Sequence, residues 1–237
     1  MTFLLETRGL SRRFGGLTAV DGVDFAIAAG EVRAVIGPNG AGKTTFVSLI
    51  SGRIAPTAGS VHFEGSDITG LPAFKRVRRG IAYTFQITSI YANLTAAENV
   101  ALAAHQTGSR RSEIYLERVG LAGRAAQLAG TLAYGHQRLL EVAMGLALHP
   151  KLLILDEPTQ GLSDAEIANF IELVRLLSKE ATVLLIEHNM PVVMALAHRI
   201  TVLDRGRILA MGPKDEIIRR LQSGEFGGGN TAQGQDR

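Results

Sequence analysis

The chain has 237 residues, 46% of them hydrophobic, and this length allows one large core or a core with a modest inserted subdomain. Its formal net charge of +3 is too small for a broad nucleic-acid-binding face, and the absence of cysteine excludes disulfides and cysteine-based metal sites. No stretch approaches the roughly 18 consecutive apolar residues that span a bilayer, so we expect other chains to hold the protein at any membrane.

Three short, mainly apolar runs predict buried parallel strands, because both faces of each run are largely apolar and helix-like segments separate them. The runs cover residues 32–36, 152–155 and 183–186. In a parallel sheet, ligands gather at the carboxyl ends of the strands. Those ends are followed here by residues 37–45, by Asp156 and Glu157, and by His188.

Local signals mark the starts of three helices. Thr95 with Glu98, and Ser163 with Glu166, have the spacing of a capping box. Pro191 suits the first turn of a helix, because its missing N–H would have no partner there.

The pattern along the chain favours a single domain over residues 1–221. Its core is expected at about 1–86 and 149–221, with a helical subdomain inserted at about 87–148. The polar, glycine-rich stretch 222–237 predicts a disordered tail. A basic run is expected to form the solvated surface of a helix, and it comprises Lys75, Arg76, Arg78 and Arg79.

Residues 37–44 match the pattern G-x-x-x-x-G-K-[ST] between a predicted strand and a predicted helix. Glycines let backbone N–H groups close around phosphate oxygens, and the N-terminus of the following helix adds partial positive charge. Lys43 would reach the β- and γ-phosphates of a nucleotide, and the Thr44 hydroxyl would bind Mg²⁺. The expected binding residues are Gly37, Pro38, Asn39, Gly40, Ala41, Gly42, Lys43, Thr44 and Thr45.

A second motif ends the predicted strand 152–155 in two adjacent carboxylates. Asp156 is placed to hold Mg²⁺ through water, and Glu157 to polarise an attacking water as a base. Two exposed loop acids are the alternative, but loop acids rarely follow four buried residues in a row. The two motifs together argue against a glycine-rich turn that merely precedes a helix.

The order of these and further motifs resembles that of the ABC ATPases over nearly the whole chain. Phe14 resembles the aromatic residue that stacks on adenine, and Gln86 resembles the glutamine that senses Mg²⁺ and the attacking water. Residues 132–137 occupy the signature position, and residues 161–164 resemble the D-loop that crosses the dimer interface. His188 resembles the switch histidine that contacts the γ-phosphate.

The resemblance implies an α/β fold with a RecA-like P-loop NTPase core, an antiparallel β subdomain and an inserted α-helical subdomain. It implies ATP and Mg²⁺ as cofactors, with Glu157, His188 and Gln86 as catalytic residues. The metal ligands would be Thr44, Gln86 and Asp156. The residues that would meet the ATP of a partner chain are Ala133, Tyr134, Gly135, His136, Gln137 and Asp164.

The signature departs from the pattern of the family, since the usual Leu-Ser-Gly-Gly-Gln reads Leu-Ala-Tyr-Gly-His. Ala133 replaces a serine whose hydroxyl would meet the γ-phosphate of the partner's ATP, Tyr134 replaces a glycine, and His136 replaces the glutamine. Losing one donor aimed at a developing phosphoryl charge costs on the order of 3 kcal/mol, although backbone N–H groups at the helix start remain.

Within the family, the sequence segments around Phe14, Gln86, Glu98 and His188 resemble those of importer ATPases for branched-chain amino acids, amides and urea. The resemblance implies uptake of branched-chain amino acids or related small polar solutes through separate permease subunits. It also implies a second ATPase subunit, identical or homologous, and indirectly a periplasmic binding protein, but no nucleic acid. The expected location is peripheral, at the cytoplasmic face of the inner (plasma) membrane.

Other functions remain open. The ATPase of a lipid or lipopolysaccharide exporter shares the compact domain and much of the motif set. A soluble ABC ATPase that acts on nucleic acid or ribosomes usually carries two ATPase units or a long coiled coil, and this chain has neither. A binding module without catalysis is opposed by the presence of Lys43, Asp156, Glu157 and His188.

Residues 87–94 follow Gln86 and carry Ile90, Tyr91 and Leu94 in a segment otherwise built like an exposed loop. We interpret them as a docking surface for a short permease helix. The alternative is that these side chains anchor the loop onto their own domain.

Overall fold

A computed structural model describes residues 3–84, 90–105 and 112–225. Its strands are β1 (Phe3–Phe14), β2 (Leu17–Ala28), β3 (Val32–Ile36), β4 (Ala58–Phe63), β5 (Ser66–Asp67), β6 (Ile81–Thr84), β7 (Leu152–Asp156), β8 (Thr182–Ile186), β9 (Arg199–Asp204) and β10 (Arg207–Pro213). Its α-helices are α1 (Lys43–Ser51), α2 (Ala73–Arg78), α3 (Ala96–His105), α4 (Ser112–Arg118), α5 (Tyr134–Ala147), α6 (Asp164–Leu177), α7 (Met190–Leu196) and α8 (Lys214–Gln222).

The strands form two sheets of different kinds. One is antiparallel, in the order β2-β1-β4-β5. The other has the order β10-β9-β3-β8-β7-β6, with parallel pairing from β6 to β9 and an antiparallel edge at β10. The α/β fold predicted from the resemblance, a parallel P-loop core joined to an antiparallel sheet, is therefore confirmed.

The three strands predicted from apolar runs are β3, β7 and β8, and every residue in them is buried. Packing on both faces explains the continuous apolar pattern. On β7, Leu153 and Leu155 join a core cluster with the helices of one face. Leu152 and Ile154 join a second cluster, with α1 and the antiparallel sheet. The strands differ from the predicted runs by one residue, since β7 includes Asp156 and β8 begins at Thr182.

Helical segments occupy the described part of the region between β6 and β7. They are α3, α4, α5 and two short 3₁₀ helices, Ala122–Arg124 and Ala129–Thr131. Helices α3 and α4 pack on α5. The boundaries assigned to an inserted subdomain stay a prediction. Over the part of the chain that the structure describes, no helix has both the length and the apolar character needed to cross a membrane.

The predicted helix starts are present. Glu98 accepts from the backbone N–H of Thr95 at 2.8 Å, and the Thr95 hydroxyl accepts from the Glu98 N–H at 3.2 Å. Ser163 and Glu166 form the corresponding capping box at α6. Helix α7 begins with Pro191 in its first turn, capped by the side chain of Asn189.

One expectation about the basic run is wrong, because Arg76 is only 1% exposed. Its guanidinium donates to four carbonyl oxygens, those of Leu49, Ile50, Thr69 and Leu71, at 2.8–2.9 Å. Two of these carbonyls belong to the last turn of α1, where a helix carries partial negative charge, and the Leu49 oxygen also accepts from the Gly52 N–H. Burial lowers the pKa of Arg76 to about 10, so the side chain stays protonated near neutral pH.

Replacing Arg76 should destabilise the fold. We expect Arg76→Ala to lower the free energy of unfolding by about 2–4 kcal/mol, because several buried carbonyl groups lose their donor. The exposed neighbour Lys75 supplies a matched control, and Lys75→Ala should change stability by no more than about 0.5 kcal/mol. Urea unfolding gives the free energy of unfolding of both variants. Equally small changes in the two would contradict a stabilising role for the Arg76 hydrogen bonds.

Candidate nucleotide-binding site

Three strands of the parallel sheet end side by side at one edge. Val35 of β3 pairs with Ile186 of β8, which also pairs with Asp156 of β7. The segments that follow these strands therefore lie next to one another. They contain the loop 37–45, Glu157, and the pair Glu187 and His188. The edge predicted from the sequence to carry the site does bring these groups together.

The glycine-rich loop is packed tightly at two of its glycines. A Cβ at Gly37 would overlap the carbonyl oxygen of Leu203, and one at Gly42 would overlap that of Ala19. Gly42 also caps α1 with a φ of 98°, which L-residues with side chains rarely adopt. The middle of the loop, residues 38–40, is exposed to solvent. The loop is thus held at its base and open at its tip.

Lys43 is the first residue of α1, and its side chain turns back over the loop. The ammonium group donates to the carbonyl oxygens of Gly37 at 2.7 Å and Pro38 at 3.0 Å. An ammonium has three donors, so these two bonds leave one for another acceptor. Burial lowers the pKa of Lys43, while the negative charges of Glu157 and Asp156 oppose that shift. The Lys43 ammonium is therefore held by the loop and attracted by both carboxylates.

The Asp156 carboxylate is fully buried, and its two oxygens have different surroundings. Oδ2 accepts a hydrogen bond from the Tyr83 hydroxyl at 2.7 Å, whereas Oδ1 has no hydrogen-bond partner among the described residues. Burial raises the pKa of Asp156, and the hydrogen bond from Tyr83 lowers it. Burial also raises the pKa of Tyr83, which stays a donor. An unpartnered buried oxygen is costly unless a ligand or a water completes it.

Glu157 has a left-handed backbone conformation, with a φ of 47° that is uncommon for residues other than glycine. Its backbone N–H donates to the Ile186 carbonyl oxygen at 2.9 Å, which fixes the turn after β7 to the end of β8. The nearest carboxylate oxygen lies 3.8 Å from Nδ1 of His188, too far for a hydrogen bond. The His188 side chain is 58% exposed and that of Glu157 only 11%.

The signature and D-loop segments meet within this chain. Ala133 precedes α5 as its N-cap residue, and the exposed Tyr134 ring lies against Gly161. Gln137 donates from its side chain to the Leu132 carbonyl oxygen at 3.0 Å, while Gly135 is buried and His136 is half-buried. Asp164 is exposed in the first turn of α6.

Of the remaining predicted residues, Phe14 is 44% exposed at the end of β1, with the Arg12 guanidinium 4.6 Å from its ring centroid. Gln86 lies outside the described residues. The sequence reasoning missed Tyr83 and Glu187, which both bond to groups of the site. Position was the available signal, because Tyr83 lies within β6 and Glu187 follows β8, the two neighbours of β7.

The residues present fit a nucleotide with a divalent cation. Asp156 offers a buried oxygen that has no partner among the described residues, and the hydroxyl-bearing Thr44 is exposed in the first turn of α1. Within residues 3–84, 90–105 and 112–225, no group of three or more histidine, cysteine or acidic side chains could hold a metal by itself. Proteins bind Mg²⁺ through one or two side chains together with substrate phosphates and water, and Asp156 and Thr44 could supply those side chains.

A strand, a glycine-rich loop and a lysine-headed helix beside a buried carboxylate define a P-loop nucleotide-binding protein. The sequence profile described as "ABC transporter" matches residues 20–160. The chain is 40% identical to the high-affinity branched-chain amino acid transport ATP-binding protein BraF of Pseudomonas aeruginosa, over 90% of this chain and 93% of that protein. It is 38% identical to LivG of Escherichia coli, which has the same description, over the same shares.

Solved structures give the same result. The ADP conformation of an ATP-binding cassette of an ABC transporter superposes with a TM-score of 0.86 at 28% identity, covering 94% of this chain and 96% of that one. The chain therefore belongs to the ABC transporter family of ATP-binding proteins. Nucleotide binding and ATP hydrolysis are general to this family.

The bond between Tyr83 and Asp156 can be tested by stability. We expect Tyr83→Phe to lower the free energy of unfolding by about 1–3 kcal/mol, because the second carboxylate oxygen then also lacks a donor. Losing that bond raises the pKa of Asp156 further. The folded protein therefore keeps the Asp156 proton up to a higher pH than the unfolded chain does. The loss should therefore be larger at high pH, where Asp156 is ionised, than at low pH, where it is protonated.

The exposed Tyr91 provides the control for this experiment, since its side chain is 59% exposed. Tyr91→Phe should change stability by no more than about 0.5 kcal/mol at either pH. A loss for Tyr83→Phe that is independent of pH would exclude the carboxylate as its cause.

Proposed function

We propose that this chain is the ATP-hydrolysing subunit of an importer that takes up branched-chain amino acids or related small polar solutes. The observation that carries hydrolysis is the grouping of Lys43, Asp156 and Glu157 at one sheet edge. Importer relatives that are 38–40% identical over 90% of the chain support the solute class. Their names also favour import over lipid or lipopolysaccharide export, and over a soluble function on nucleic acid.

In this proposal, the loop 37–45 holds the phosphates of ATP through backbone N–H groups and the Lys43 ammonium. Lys43 has a donor to spare after its two bonds to loop carbonyls. The partly exposed ring of Phe14 offers a surface on which adenine stacks.

Mg²⁺ would be held by the Thr44 hydroxyl and, directly or through water, by Oδ1 of Asp156. When bound, the ion supplies positive charge that neutralises the β- and γ-phosphate oxygens. The Tyr83 hydroxyl orients the carboxylate, because its bond to Oδ2 leaves only Oδ1 for the ion. Gln86 stays a predicted ligand that lies outside the described residues.

Glu157 is the proposed general base, which takes a proton from the attacking water. Its backbone is left-handed at the end of β7, and burial of the carboxylate limits competing water. His188 is the proposed contact to the γ-phosphate, since its exposed imidazole lies within 3.8 Å of Glu157. The protein positions these two groups and needs no covalent intermediate with the phosphoryl group.

A second ATPase subunit, identical or homologous, completes the proposed assembly. The segment 132–137 and Asp164 would face the ATP bound by that subunit, and both are at least partly exposed in the described structure. Separate permease subunits would hold the pair at the cytoplasmic face of the inner membrane, where a periplasmic binding protein acts indirectly. Closing and reopening the ATPase pair would then drive the permease between its two states.

The test of this function is the base assignment. Glu157→Gln should lower the steady-state ATPase rate by at least about 100-fold, because an amide cannot accept the proton. ATP binding should persist, since the phosphate loop is unchanged. Lys43→Ala is the opposite control, which should lose ATP affinity because it removes the charge facing the phosphates. A Glu157→Gln variant that hydrolyses ATP like the wild type would refute the proposed mechanism.

We also propose that the surface around Tyr91 contacts the permease. The side chain is 59% exposed, while the backbone N–H and carbonyl of Tyr91 are both bonded to the buried side chain of Asn99, at 2.8 and 3.1 Å. A rigid backbone with an exposed aromatic ring is a favourable anchor for a partner helix. Ile90 packs against the core, so the anchoring alternative holds for that residue. Residues 87–89 of this predicted surface lie outside the described residues.

Tyr91→Asp should leave ATP binding and folding intact, because the side chain is not part of the core. It should weaken co-purification with the permease by about tenfold or more, since it buries a charge at the contact. Leu176→Asp is the matched control, because Leu176 is 58% exposed on α6 and should not affect co-purification. Equal co-purification of wild type and Tyr91→Asp would place the permease contact elsewhere.

A further inference from the structure

Glu187 is a fully buried carboxylate directly after β8, and the function proposed above gives it no role. Among the described residues, no ion pair includes it. Burying a carboxylate is costly unless hydrogen bonds replace the water that it loses. The arrangement of those hydrogen bonds indicates what the side chain does.

Both oxygens of Glu187 are hydrogen-bonded, and each bonds to a different segment. Oε1 accepts from the backbone N–H of Thr159 at 3.1 Å and also from the Thr159 hydroxyl. Oε2 accepts from the backbone N–H of His188 at 2.9 Å and of Asn189 at 3.0 Å. Hydrogen bonds to an ionised acceptor are roughly twice as strong as neutral ones. The carboxylate therefore ties the turn after β7 to the turn after β8.

These two turns carry the proposed general base, Glu157, and the proposed contact to the γ-phosphate, His188. Thr159 follows Glu157 by two residues and precedes the segment 160–164, which leads into α6. His188 directly follows Glu187. Because the Glu157 and His188 side chains are 3.8 Å apart, no hydrogen bond between them fixes their separation. The connection through Glu187 instead joins Thr159 to the backbone N–H groups of His188 and Asn189.

We propose that Glu187 is a positioning residue, which sets the separation of Glu157 and His188 and transmits movement of the segment 160–164 to His188. This inference rests on the proposed function and assigns Glu187 no contact with the nucleotide. Closure of a partner subunit on the segment 160–164 would move Thr159, and the shared carboxylate would carry that movement to the His188 turn.

An acid is required at this position because a carboxylate only accepts hydrogen bonds. Glu187→Gln keeps the shape of the side chain but places an NH₂ group against N–H or hydroxyl donors. The two turns should then be joined only by backbone bonds such as that from the Glu157 N–H to the Ile186 carbonyl oxygen. We expect kcat to fall by about 10–100-fold, while the ATP dissociation constant changes by less than about threefold, because the loop 37–45 is untouched.

Two further variants distinguish positioning from loss of structure. Thr159→Val removes one donor to Glu187 but keeps the backbone bond, so kcat should fall by about three- to tenfold. Combined with Glu187→Gln, its effect should be less than the product of the single effects, because both act on one contact. Glu31→Gln is the control, since Glu31 is also buried and pairs with Arg33 at 2.5 Å. Glu31 precedes β3 and so lies at the amino ends of the parallel strands, away from the site. This control substitution should lower stability without lowering kcat.

The experiment measures ATP dissociation constants, kcat and thermal unfolding of the full-length chain in its assembled complex. A lower kcat at unchanged ATP affinity in Glu187→Gln, absent in Glu31→Gln, supports the inference. Wild-type kcat in Glu187→Gln overturns it. If Glu187→Gln does not fold, Thr159→Val decides, and its unchanged kcat overturns the inference. Failure of the proposed function itself is distinguishable, because ATPase activity would then be independent of Glu157.

Discussion

The parallel register of β3, β7 and β8 is the constraint on which the rest of the site depends. Because Ile186 pairs with both Val35 and Asp156, the three strands end at one level. A shift of β7 by one residue would exchange the side chains that face its two core clusters and move Asp156 away from Tyr83. Helices cover one face of the sheet, and α1 with the antiparallel sheet covers the other, so apolar packing penalises such a shift twice.

Two buried side chains, Arg76 and Glu187, and the partly buried Tyr83 then stabilise the elements that this register brings together. Arg76 binds the carbonyls at the end of α1, whose other end bears the glycine-rich loop. Tyr83 holds one oxygen of Asp156, and Glu187 joins the turns behind Glu157 and His188. The sequence assigns none of the three a role in the site, although Tyr83 and Glu187 stand next to residues that it does assign. Arg76 holds the helix that Lys43 begins, and the other two hold Asp156 and the backbone of His188. The groups proposed to touch ATP are therefore held mainly by hydrogen bonds from residues that do not themselves touch ATP.

The sequence predicted those parts of the protein that local patterns determine. Apolar runs predicted the three buried strands to within one residue, and the capping boxes at Thr95 and Ser163 predicted two helix starts. The glycine pattern predicted the loop because few other structures need that spacing. By contrast, Arg76 was interpreted as solvated surface because its neighbours are charged, whereas its acceptors lie up to 27 residues away. Tyr83 and Asp156 are separated by 73 residues, and only the pairing of β6 with β7 brings them together.

The altered signature illustrates how local energetics and function oppose each other. Ala133 is the N-cap of α5, and among the described residues no side chain caps that helix. A serine there would stabilise the helix by about 1 kcal/mol, but its oxygen would occupy a backbone N–H of the first turn. With alanine, the first-turn N–H groups keep their capacity to bind an anion, and the helix dipole favours negative charge at that end. In the proposed assembly, these backbone donors offset part of the lost hydroxyl donor at the end of α5, where the neighbouring Tyr134 ring lies against Gly161.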